Sequence, residues 1–174
     1  MSAVANRDGP PAQRHDAAAP GSGLDAVGPA PLLVFGWGNP SRGDDAIGPL
    51  FVDAVEAMKL PGVECLTDFQ LQVEHALDLR GRARVLFVDA SADAAAPFAV
   101  ERIEPARDPS FTTHAVSPQS ILQVYCELEG DTPPPCWLLA IRGESWALGA
   151  PASASARENL RAALAWSRLW LARD

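Results

Sequence analysis

The sequence predicts an α/β domain, a three-layer sandwich in which a mixed, mostly parallel sheet of about five strands lies between helices. Three observations lead there. From "PLLVFGWG" onward, short β-like runs alternate with helical patterns, the mark of a layered α/β domain. The runs "RVLFVDA" and "CWLLAI" are continuously apolar, as strands covered on both faces are. By contrast "FAVERIE" alternates apolar with polar residues and reads as an edge strand.

Residues 1 to about 30 consist of Ala, Pro, Gly and Asp with almost no large apolar side chains, too few to offset the entropy of ordering them. We read 1–30 as a disordered extension and 31–174 as one folded domain. Strands are expected at 31–37, 62–67, 84–90, 98–104 and 136–142. Between the first two, "IGPLFVDAVEAMK" places Ile47, Leu50, Phe51, Ala54 and Val55 on one helical face. "SPQSILQVYCEL" opens with Ser117 as cap and Pro118 at the first helical position. The last helix, in "ASARENLRAALAWSRLWLAR", sets Leu160, Leu164, Trp166 and Leu169 against a wet side of Arg157, Glu158, Arg161 and Arg168. "EGDTPPP" is a loop, and no internal repeat occurs.

Composition narrows the function. With 174 residues, 48% of them hydrophobic and 21% charged, the chain suits one globular domain. No apolar run reaches the roughly 18 residues of a membrane span, and the first twenty residues lack the apolar centre of a secretory signal. Cys65, Cys126 and Cys136 show no CxxC spacing, so neither a disulfide framework nor a zinc knuckle is indicated. A cytoplasmic location with reduced thiols is expected. The net charge of −8 argues against a nucleic-acid partner, which would need clustered Lys and Arg.

In open α/β sheets, ligands bind outside the carboxyl ends of the strands. Here those ends are polar: Asn39, Asp44 and Asp45 follow the first strand, Asp68 and Gln70 the second, Asp89 the third, and Arg142 and Glu144 the last. His114, in "FTTHAVSP", sits on a loop able to fold over the same rim. Two carboxylates and an imidazole suit a borderline divalent transition metal better than magnesium. Simpler roles compete at each position. Asp44 or Asp45 could cap the following helix, Asp89 could bind turn amides, and a lone loop histidine is more often incidental. His75, in the helical "QVEHALDL", reads as a surface residue, and Trp137, Trp146, Trp166 and Trp170 as packing residues. The glycines of "GWGNPSRGDDAIGP" follow GxGxxxxG rather than GxGxxG, and Asp44 and Asp45 would repel a pyrophosphate. Neither GxxxxGK[ST] nor GxSxG occurs.

These residues resemble a known family, the endopeptidases that mature nickel–iron hydrogenases by trimming the C-terminus of the large subunit. "VFGWGNPSRGDDAIG" is similar to the family's N-terminal signature, a strand, then G-x-G-N, a spacer and D-D/E-x-x-G. "FVDAS" is similar to its strand-end Asp-Ala segment, "TTHAVSP" to its histidine loop, and "CWLLAIRGESWALGAPASASARENL" to its late strand, loop and helix. The Pro-Ser-Arg-Gly spacer and "FQLQVEHALDL" look most like the subgroup serving NAD-reducing hydrogenases. Ser41–Arg42 and Ala46 depart from the commoner pattern, where an apolar residue and Gly often stand. Asp rather than Glu at position 45 shortens the side chain by one methylene.

The resemblance implies a peptidase, aspartic-type by grouping, with Asp45 and Asp89 as catalytic residues and Asp45, Asp89 and His114 as metal contacts. Asp45 is assigned to the metal and Asp44 to the helix cap. The metal would be nickel carried by the large-subunit precursor, although other divalent ions could enter the site, and no other cofactor is implied. The partner would be that precursor, met by a monomer with no nucleic acid or membrane involved. Two rivals remain open: a non-catalytic chaperone that checks nickel insertion, and a nucleotide-binding α/β enzyme supported only by Gly36 and Gly38.

Overall fold

Leu32–Trp37 forms β1, with Leu33, Val34, Phe35 and Gly36 all buried, as a strand covered on both faces requires. The computed structural model describes residues 28–107 and 116–172. After β1 come a 3₁₀ turn at Gly43–Ala46 and helix α1 (Ile47–Glu56). Strand β2 (Val63–Asp68) leads to a longer 3₁₀ helix at Val73–Leu79. Strands β3 (Arg84–Ser91) and β4 (Phe98–Ile103), helix α2 (Pro118–Glu129), β5 (Cys136–Arg142) and helix α3 (Ala154–Leu171) complete the order. The five strands agree with the sequence expectation to within a residue at either end.

They form one sheet in the order β2-β1-β3-β5-β4. The first four strands are parallel, and β4 runs antiparallel to β5 at the edge. The alternating "FAVERI" therefore lies where one face and one side meet water. Because β2, β1, β3 and β5 point the same way, their carboxyl ends share one rim.

Two cores flank the sheet and make the three layers. On one face Val34, Leu86, Val88, Leu139 and Ile141 pack against Phe51 and Val55 of α1 and Ala163 and Trp170 of α3. On the other, Leu33, Phe35, Val85 and Phe87 meet Ala76 and Leu79 of the 3₁₀ helix and Ile121 and Leu122 of α2. Helix α2 starts as its sequence predicts: the Ser117 hydroxyl accepts the backbone N–H of Ser120, and proline stands at the first position. It ends on Gly130 at φ 66°, a left-handed cap.

Two helix faces differ from expectation. Leu50 is exposed, because α1 turns Gly48 and Val52 inward beside Ile47, Phe51 and Val55. Leu169 is 70% exposed, since Ala163, Ser167 and Trp170 define the inner side of α3 and a residue two places from Ser167 falls opposite it. Trp170 closes that side with Trp137 at 5.4 Å and with the Arg84 guanidinium 4.6 Å above its ring. The expected extension lies almost wholly outside the described residues. Ala30 and Pro31 are tied to the domain, their carbonyls accepting from the Arg82 side chain and the Ala83 N–H. Among the described residues, no helix is long and apolar enough to cross a membrane.

Candidate functional site

The rim is shaped first by the exit from β1. Gly38 stands at φ +138°, and a Cβ there would collide with the backbone carbonyl oxygen of Asp45. Only glycine lets the loop after β1 lie directly against the 3₁₀ turn that carries Asp45. Its own N–H donates to the Asp68 carbonyl at the end of β2, at 3.1 Å. Asn39 then braces both sides of the loop. Its backbone N–H donates to Asp45 Oδ2 at 2.9 Å, and its side-chain oxygen accepts from the Ser41 N–H at 2.9 Å.

Asp89, near the end of β3, faces the same rim and accepts the Ala90 N–H on Oδ1 at 2.8 Å. Burial pushes its carboxyl up to about 7; the Ala90 hydrogen bond opposes this, and the nearby charge of Asp45 adds to it. Two acidic residues 44 positions apart in sequence thus share one electrostatic environment. A carboxyl group poised near neutrality beside a second carboxylate is the arrangement general acid–base chemistry uses.

The neighbouring Asp44 plays a different part from the one assigned to it. Neither the 3₁₀ turn nor α1 takes a side-chain cap from it. Instead its fully buried carboxylate accepts the backbone N–H groups of Glu144, Ser145 and Ser153 at 2.8, 2.9 and 2.6 Å, and the Ser153 hydroxyl at 3.0 Å. Ser153 is the N-cap of α3. Asp44 therefore fastens the 143–153 segment and the start of the last helix to the first loop. Burial favours its neutral form, but those four donors outweigh burial and hold the carboxyl below its ordinary 3.8.

Other rim residues divide likewise. Arg142 donates to the Ala94 carbonyl and Glu144 accepts from the Ser155 hydroxyl, so both serve the frame of the late loop. His75 is not the surface residue its helical context suggests, as its side chain is only 15% exposed. It stacks edge-on against Phe35 at 4.6 Å and faces Asp68, a tertiary arrangement that no local pattern announces. His114 lies outside the described residues, and among those described no three His, Cys, Asp or Glu side chains form a metal cluster.

No protein-family model matches the sequence, and no curated protein matches it. Solved structures do. The [NiFe] hydrogenase maturation protease HycI of Thermococcus kodakarensis KOD1 superposes with a TM-score of 0.63 at 20% identity, over 81% of this chain and 92% of its own. The hydrogenase maturating endopeptidase HybD of E. coli gives 0.61 at 24%, over 80% and 91%. A hydrogenase 2 maturation peptidase from Thaumarchaeota archaeon SCGC_AB-539-E09 gives 0.59 at 24%, over 80% and 97%. The chain has the hydrogenase maturation protease fold.

Within that maturation-protease fold, the donor set can be tested against a divalent metal. Burial, and to a lesser extent the like charge of Asp45, raise the Asp89 carboxyl, and a cation held by these residues would relieve both the desolvation and the repulsion. The residues fit such an ion. The nucleotide alternative loses its footing, because Gly38 is used for contact with Asp45 and the loop presents the Asp45 carboxylate where a phosphate would sit.

Proposed function

We propose that the protein is an endopeptidase that cleaves the C-terminal extension of a nickel–iron hydrogenase large-subunit precursor after nickel insertion. The observation that carries this reading is the Asp45–Asp89 pair on the carboxyl rim, with Asp89 raised to about 7 by burial and by Asp45. The fold shared with the maturation proteases supports it.

In this reading nickel is part of the substrate. Asp45 and Asp89, with His114, contact the ion already seated in the precursor and so restrict cleavage to loaded chains. The chemistry left to the protein is proton transfer. An ionised carboxylate takes a proton from the attacking water, and a protonated one supplies the departing amine. Before the precursor binds, burial and the charge of Asp45 raise Asp89 to about 7; contact with the substrate's ion would lower it and favour the ionised form that accepts the water's proton. Asp45 is held by the Asn39 N–H on Oδ2, and among the described residues no hydrogen bond reaches its Oδ1, which serves substrate metal or water in this reading. The precursor is the macromolecular partner, met by a cytoplasmic monomer.

The decisive measurement is the mass of nickel-loaded precursor before and after incubation. Wild type should remove a C-terminal peptide and Asp45→Ala should not; equal processing by both overturns the site. A stable complex with wild type and no change of mass would instead make the protein a nickel-checking chaperone.

A further inference from the structure

We propose that His75 is a positioning residue for Asp45, acting through the turn that follows β2; this rests on the peptidase reading above. The backbone N–H of Gln72 donates to His75 Nδ1 at 2.9 Å. An N–H can donate only to an unprotonated ring nitrogen, so the imidazole proton is on Nε2. That protonated nitrogen faces Asp68 Oδ2 at 3.3 Å. The Gln72 side-chain amide donates to the same oxygen at 3.2 Å, and the Phe69 N–H donates to Oδ1 at 2.6 Å. The Asp68 carboxylate is thereby held from two sides, and its backbone with it.

That backbone reaches the site. The Asp68 carbonyl accepts the Gly38 N–H at 3.1 Å, Gly38 lies against the Asp45 backbone, and the next N–H, of Asn39, holds Asp45 Oδ2 at 2.9 Å. An unbroken series of contacts runs from the imidazole to the carboxylate. A simple cap needs only the Nδ1 acceptor, which several side chains could provide. The second nitrogen, 3.3 Å from Asp68 Oδ2, and the ring set edge-on to Phe35 at 4.6 Å, exceed that requirement.

The two ring nitrogens can be tested separately. In His75→Asn the side-chain oxygen keeps an acceptor for Gln72 N–H, while the donor facing Asp68 is lost. In His75→Gln a donor can still reach Asp68. Processing of nickel-loaded precursor is followed at several precursor concentrations, with Asp45→Ala as control. His75→Asn should keep wild-type circular dichroism and a KM within about threefold, yet lose at least about tenfold in kcat, as small displacements of a reacting group do. The Asn39 amide resonance should shift, and His75→Gln should recover most of the rate. Ring nitrogen shifts of wild type should show protonated Nε2 and unprotonated Nδ1, a result independent of whether any variant folds. The opposite tautomer, an unchanged kcat in His75→Asn, or a loss confined to KM overturns the proposal. If Asp45→Ala itself processes precursor, the peptidase site has failed instead.

Discussion

The carboxylate of Asp44 accepts a 2.6 Å hydrogen bond from the backbone N–H of Ser153, 109 residues further along the chain. With the Glu144 and Ser145 amides and the Ser153 hydroxyl, it joins the first loop of the domain to the start of its last helix. Asp44→Ala would leave three backbone N–H groups without their acceptor, at about 1–3 kcal/mol each, so a loss of about 3 kcal/mol or more is expected in urea denaturation at pH 7. The pH dependence follows from a folded-state pKa below 3.8. The contribution is complete above the unfolded value and disappears as pH falls through the lower folded one. Acid titration of wild type against Asp44→Asn should show the gap between them closing only in that acid range.

Asp89 works in the opposite sense. Its folded carboxyl titrates near 7, above the 3.8 of an unstructured aspartate, so between those values the folded state binds more protons than the unfolded one. Stability therefore declines as pH rises through this window, and the cost is fully present above about 7. Asp89→Asn can still accept the Ala90 N–H without a charge. In metal-free buffer with chelator, its urea midpoint should gain on that of wild type steadily from pH 4 to pH 7. A constant difference across that range would contradict the assignment.

Gly38→Ala tests the delivery of Asp45. The new methyl would meet the Asp45 carbonyl oxygen at a backbone angle that side chains rarely adopt. A destabilisation of about 2 kcal/mol or more is expected, from strain and forced displacement together. Precursor processing should fall more than the loss of folded protein explains, which single-turnover assays at a temperature where the variant remains folded can separate.

The inner side of α3 gives a contrast within one helix. Leu169→Gln should change stability by no more than about 0.5 kcal/mol, as surface substitutions do. Trp170→Ala, next to it, should cost about 3 kcal/mol or more, because it empties the space between Trp137, Trp166 and the Arg84 side chain. Thermal melts of the two variants decide whether the helix is rotated as described.

The amino-acid sequence by itself determined the five strands, the capped start of α2, the edge position of "FAVERI" and the acidic character of the carboxyl rim. Those features are local: apolar runs, alternation, a Ser-Pro start, and the last residues before each turn. Tertiary structure decided what separates neighbours of the same type. Asp44 and Asp45 are one residue apart and chemically identical, yet one is fully buried under donors from residues 144–153 while the other lies against Gly38 and beside Asp89. The same holds for His75, whose helical context reads as surface until Phe35 and Asp68, from two adjacent strands, are set against its ring. A carboxylate's role depends on which distant N–H groups and charges surround it, and those are brought together only when the parallel strands align their ends on a common rim.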